Sequence, residues 1–106
     1  MIKVSVHYPN RTDARFDTEY YLNVHMPMAI GRLGAAIKGV SVDIGMSGAQ
    51  PGQAPPYVAM CHFICDSPQA FTDAFLPNAE ALMGDIPNYT NIEPVIQISE
   101  IRLSQP

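Results

Sequence analysis

With 106 residues, 47% of them apolar and 15% charged, the chain has the size and composition of one globular domain around one core, and these proportions exclude a disordered polymer. A formal charge of −4 argues against a nucleic-acid partner, because phosphates call for clustered cations and the six here (Lys3, Arg11, Arg15, Arg32, Lys38, Arg102) are scattered. No apolar run approaches the roughly 20 residues that cross a bilayer, and Met1-Ile-Lys-Val-Ser-Val lacks the features of a secretion signal, so a cytoplasmic protein with no membrane partner is expected.

Residues 1–8 alternate, with Ile2, Val4, Val6 and Tyr8 on one side and Lys3, Ser5 and His7 on the other, which predicts a half-buried strand ended by Pro9-Asn10. A helix is expected from Thr18 to Ala35. Asp17 suits its N-cap, and Phe16 before the cap pairs with Tyr21 inside it as a hydrophobic staple. Pro27 removes a backbone donor and crowds the preceding turn, so a bend is expected there. Gly31 and Gly34 loosen the end.

A second strand is expected over Ile37–Met46, with Val40, Val42, Ile44 and Met46 on one face. Ser47 to Pro56 is a Gly- and Pro-rich connection without periodicity, expected to form a mobile hairpin loop. Tyr57 to Cys65 is apolar at nearly every position, the mark of a central strand covered on both faces. Ser67-Pro68 opens a second helix as cap and first residue. Phe71, Phe75, Asn78 and Leu82 repeat along it, Pro77 implies a break, and Gly84 fits its C-terminal cap. Pro94 to Ile101 alternates as the last strand.

The order β-α-β-β-α-β predicts an α+β, ferredoxin-like domain with a four-stranded antiparallel sheet. Two helices cover one face of such a sheet, so a second copy of the chain is the simplest cover for the other. Cys61 and Cys65 on one strand would sit about 13 Å apart, beyond the ~7 Å that a disulfide allows. They read as buried thiols.

The segment Asp17 to Met28 carries the most chemistry. Tyr21 and His25, four apart, share a helical face, with Met28 and Arg32 continuing the stripe. Turned toward the sheet, they would place an imidazole and a phenol in an apolar interior, where imidazole can give or take a proton near neutrality. The opposing reading is a satisfied core histidine beside a packing tyrosine. His62 faces away from Cys61, so the two form no local nucleophile pair. No glycine-rich phosphate loop is present, and no resident cofactor or metal is expected.

Over Asp17-x-x-Tyr20-Tyr21-x-x-x-His25-Met26-Pro27 the chain resembles the EthD family, named for ethyl tert-butyl ether degradation. The similarity also takes in Lys3-Val-Ser-Val-His-Tyr-Pro9, the linker leading to Pro56-Tyr-Val-Ala59, and Asp85-Ile-Pro-Asn-Tyr-Thr-Asn-Ile-Glu-Pro-Val-Ile-Gln-Ile-Ser99. The resemblance implies a homodimeric α/β barrel with a pocket between helices and sheet in each subunit. Related barrels include cofactor-independent monooxygenases, muconolactone isomerases and haem-binding proteins. It carries over His25 and Tyr21 as candidate catalytic residues, and Asp17, Tyr20, Asn88 and Tyr89 as candidate substrate-binding residues. His7 and His62 lie outside the pattern. Three functions then compete: a small catabolic oxidoreductase or isomerase moving a proton on a hydrophobic oxygenated metabolite, an accessory protein holding such an intermediate for an oxygenase, and a haem protein, which the lack of a basic cluster for propionates disfavours.

Overall fold

The computed structural model describes residues 1–106. Four strands run in the order the alternation predicts: β1 (Ile2–Pro9), β2 (Gly39–Ile44), β3 (Tyr57–Cys65) and β4 (Val95–Glu100). All pairs are antiparallel and the spatial order is β2-β3-β1-β4, so β1 and β3 are central. This is the ferredoxin-like split βαβ arrangement. Residues directly opposite in the register share a face. Val4 faces Phe63 and Ile98, and Val6 faces Cys61 and Ile96, which fixes the face toward the helices. Lys3, Ser5, His7, Met60, His62 and Ile64 point the other way, and only Ser5 among them is buried.

The first helical segment is not one plain helix. It comprises α1 (Thr18–Tyr20), a π-helical turn (Tyr21–His25), α2 (Met26–Leu33) and a 3₁₀ turn (Gly34–Ala36). Within the wide turn the Met26 N–H reaches back five residues to the Tyr21 carbonyl. The extra residue accommodates Pro27, whose ring would otherwise crowd a regular turn. It also rotates everything downstream. Tyr21 and His25 are buried as expected, but the inward stripe continues through Met26, Ala29 and Leu33, whereas Arg32 is exposed and Met28 only half-buried. Periodicity alone carries the stripe to Met28 and Arg32 because it assumes 3.6 residues per turn throughout.

The second helical segment is α3 (Pro68–Phe75), a 3₁₀ turn over Leu76–Asn78 and α4 (Ala79–Asp85). Ser67 caps α3 by accepting the Ala70 N–H, and Pro77 sits in the break. Gly84 does not end the helix. The chain stays helical through it into a 3₁₀ turn, Ile86–Asn88, where Pro87 closes the segment. The second strand is also shorter than its apolar pattern, because Met46 lies beyond it and is 93% exposed. Between β2 and β3 a turn is closed by Gly48 N–H to the Gln53 carbonyl, with Gly52 at a φ of 82° that favours glycine. Cys61 and Cys65 are both buried and unpaired.

Candidate functional site

The site is built where two loops lock together. The Asp17 carboxylate accepts the Tyr20 N–H as helix cap, while its own N–H donates to the Tyr89 carbonyl at 2.7 Å. Thr90 Oγ1 donates to the Arg15 carbonyl, and the Asn91 side chain bonds both Arg15 N–H and the Asp13 carbonyl. These contacts press the segment after α4 against the start of α1. Phe16 then meets both Tyr21 and Tyr89 edge to face, with Phe16 and Tyr21 ring centres 5.0 Å apart as a staple requires.

His25 lies inside this aromatic layer, stacked on Tyr21 (ring centres 5.6 Å, interplanar angle 14°) and 4.7 Å from the Tyr89 ring. Its Nδ1 is 2.9 Å from Asp85 Oδ2, with the two side chains only 10% and 14% exposed. Asp85 is held by two further donors, the Tyr20 hydroxyl at 2.7 Å and the Asn88 amide at 3.0 Å. Burial works against the Asp85 carboxylate, but the hydrogen bonds from Tyr20, Asn88 and His25 outweigh it and keep its pKa below the ordinary range. A charged acceptor on Nδ1 makes that nitrogen the protonated one. The lone pair of neutral His25 is therefore on Nε2. Nε2 has no hydrogen-bond partner in the protein, and His25 is one of the residues that line a cavity.

That cavity measures about 70 Å³ and lies between the helices and the sheet. Its walls are almost entirely apolar: Val4, Val6, Met26, Leu33, Phe63, Phe71, Phe75, Leu82 and Met83 among others. The polar groups it meets are His25, the phenols of Tyr8, Tyr21 and Tyr89, and the Cys61 thiol. The Tyr8 and Tyr89 hydroxyls bond each other at 2.7 Å. The Tyr21 hydroxyl is close enough to Tyr8 and Cys61 to interact with both. Burial raises the pKa of all three phenols and pushes the Cys61 thiol up to about 12, so each stays protonated at neutral pH. One imidazole and three protonated phenols thus line the same largely apolar cavity.

An EthD domain model matches residues 9–93. The chain belongs to the EthD family. It is similar to an EthD-like protein from Ralstonia eutropha JMP134 whose crystal structure shares 47% identity with it, covering 98% of this chain and 94% of that one at a TM-score of 0.94. An ethyl tert-butyl ether degradation (EthD) family protein from Bacillus halodurans C-125 superposes at a TM-score of 0.66 with 17% identity over 95% of this chain and 98% of the other. HapK from Hahella chejuensis does so at 0.56 with 12% identity, over 98% and 97%, and these two likenesses concern the fold alone. No curated protein matches the chain.

Of the residues the EthD resemblance singles out, His25, Tyr21 and Tyr89 line the cavity together. Tyr20 and Asn88 stand one layer back, their polar atoms bonded to Asp85. Asp17 is exposed and works as the cap. Two further residues of the site, Asp85 and Tyr8, are not among those the sequence points to. Asp85 opens the closing EthD-like stretch of the sequence, three residues before Asn88, but its partner is 60 positions away. The alternation of β1 marks Tyr8 only as strand core, which it also is.

Proposed function

We propose that this EthD protein is a small catabolic enzyme of oxidoreductase or isomerase type that moves a proton on a hydrophobic oxygenated metabolite. The observation that carries this reading is the His25–Asp85 pair: one ring nitrogen fixed by a charged carboxylate, the other without a protein partner, on a residue that lines an apolar cavity. A buried carboxylate–imidazole pair orients the ring and stabilises the imidazolium that forms when Nε2 takes a proton. Carbon-lined walls favour a ligand with few polar atoms. The cavity as it stands is about half of the ~150 Å³ that holds a benzene ring, so a ring-sized ligand enters as the flexible Met26 and Met83 side chains swing aside. In this reading a second copy covers the helix-free face of the sheet, and the active unit is a cytoplasmic homodimer.

The test is turnover and binding of small neutral lactones, enones and phenols by wild type and by His25→Ala. Loss of turnover with affinity kept within a few-fold is the expected result. An accessory protein that only holds its ligand would show unchanged affinity and no reaction for the variant to lose.

A further inference from the structure

The phenol cluster opposite His25 narrows the substrate class, on the premise that His25 is the proton-transfer group. Tyr8 and Tyr89 share a 2.7 Å hydrogen bond, in which one hydroxyl donates to the other. Two hydroxyls so paired have one hydrogen left over, and that hydrogen belongs to the phenol whose oxygen already accepts. A donor of this kind is polarised by the bond behind it. The Tyr21 hydroxyl lies close enough to Tyr8 and Cys61 to interact with both, so it extends the hydroxyl pair into a chain of three phenols, all of which line the cavity. Tyr21 and Tyr89 are the two rings that flank the imidazole. The imidazole and the phenol cluster therefore line one pocket, with the His25 ring packed directly against Tyr21 and Tyr89.

We infer that the three-phenol cluster of Tyr8, Tyr21 and Tyr89 receives the carbonyl oxygen of a neutral, enolisable ketone or lactone, while His25 Nε2 removes a proton from the carbon next to that carbonyl. The C–H bond breaks, its proton forms the second N–H of the imidazole, and the electron pair moves through the new C=C bond onto oxygen. The enolate oxygen so formed accepts from the phenols. Return of the proton from Nε2 to the γ-carbon of a β,γ-unsaturated substrate gives the conjugated isomer, with atoms and electrons balanced and no co-reactant. No Lys or Arg side chain lines the cavity, so a carboxylate or phosphate substrate would lose its hydration with no cation to replace it. Burial holds the phenols protonated, which suits donors and rules them out as bases.

The probe is 3-cyclohexenone, whose migration to 2-cyclohexenone is read by ultraviolet absorbance, with deuterium uptake from D₂O followed by NMR. Wild type is expected to accelerate both. Tyr8→Phe, Tyr89→Phe and Tyr21→Phe keep ring volume, and removing an oxyanion donor lowers kcat by about 10²–10³-fold. At least one of the three should show such a loss with KM changed only a few-fold, and thermal melting confirms that each variant folds. Binding of the ketone at least tenfold tighter than that of 3-cyclohexene-1-carboxylate is the expected class preference. If wild type turns the probe over and His25→Gln stops it while all three Phe variants keep full kcat, the phenol assignment fails and the histidine reading stands. If wild type binds the ketone but neither exchanges nor isomerises it, both fail.

Discussion

The two faces of the sheet each carry a histidine beside a carboxylate, and they are not equivalent. On the helix side, His25 and Asp85 are 2.9 Å apart and almost shut away from solvent. On the helix-free side, His62 Nε2 is 3.7 Å from an Asp43 that is 66% exposed, and its Nδ1 is 2.8 Å from Ser5 Oγ. Both nitrogens of His62 thus have neighbours. His25 has one nitrogen fixed, the other without a partner, and lines a cavity, whereas His62 lies on the helix-free face of the sheet with His7 and Tyr57 along it. Burial, with Lys3 adding to it, lowers the His62 pKa despite Asp43, so the neutral ring is favoured there. An imidazole–carboxylate contact is common to both; what separates a candidate catalytic pair from a surface pair is the unpartnered atom and the space in front of it.

The largest expected effect breaks one pair and spares the other. Asp85→Asn removes the charged acceptor that fixes the His25 ring and its tautomer, and should lower kcat by on the order of 10²-fold or more. Asp43→Asn and His62→Ala should leave kcat within about twofold, inside the ordinary scatter of surface changes. Steady-state kinetics on one substrate decides it. Equal losses on both faces would erase the contrast.

The same contrast shows what the sequence could reveal. The Asp17 and Ser67 caps and the Phe16–Tyr21 staple are local signals, and each appears where its residues predict; the alternation locates all four strands but carries the second past its end at Ile44. The shared face of Tyr21 and His25 was also legible from their spacing of four, which keeps the two rings stacked even across the π-helical turn. The orientation of α2 beyond the π-helical turn was hidden, because a single inserted residue leaves no periodic mark yet moves Met26, Ala29 and Leu33 inward. Gly84 misled for a related reason: a glycine can end a helix, but Pro87 three residues on does so here. Asp85 was beyond reach because its role depends on a contact between residues 60 apart, brought about by the Thr90 and Asn91 clamp on the first loop.

A second comparison runs along β3, whose residues alternate between the faces. Phe63, 7% exposed on the helix side, should cost about 3–5 kcal/mol on truncation to Ala. Ile64, half-buried on the other side of the sheet, should cost clearly less at low protein concentration. If a second copy covers that face, the Ile64→Ala penalty grows with protein concentration, because the variant weakens association as well as packing. Urea titrations at two concentrations read both quantities.

Alkaline pH sharpens the contrast further, because the raised groups all belong to the helix side. Tyr8, Tyr21, Tyr89 and Cys61 have folded-state pKa values above their unfolded ones. The native state then holds more protons than the unfolded chain, and stability falls as pH rises past the unfolded value. For Cys61 this window runs from the ordinary 9.0 up to about 12. Each such group contributes roughly 1.4 kcal/mol of lost stability per pH unit above its own unfolded value, 9.0 for Cys61 and 10.0 for the tyrosines. The urea midpoint should drop between about pH 8.5 and 10.5, and less so in Cys61→Ala relative to that variant's own midpoint at the lower pH. A flat profile would mean that these side chains meet water freely.

The smallest effect concerns the entrance to the helix that carries His25. Asp17 is exposed, and its carboxylate accepts the Tyr20 N–H. Asp17→Ala should cost about 1 kcal/mol, and Asp17→Asn almost nothing, since an Asn side chain caps as well. A role in holding substrate through its charge predicts the opposite ranking in KM, with Asn as damaging as Ala. Thermal melts and KM measured on the same two variants separate a cap from a contact, and show whether the helix side draws anything for its chemistry from beyond the aromatic layer.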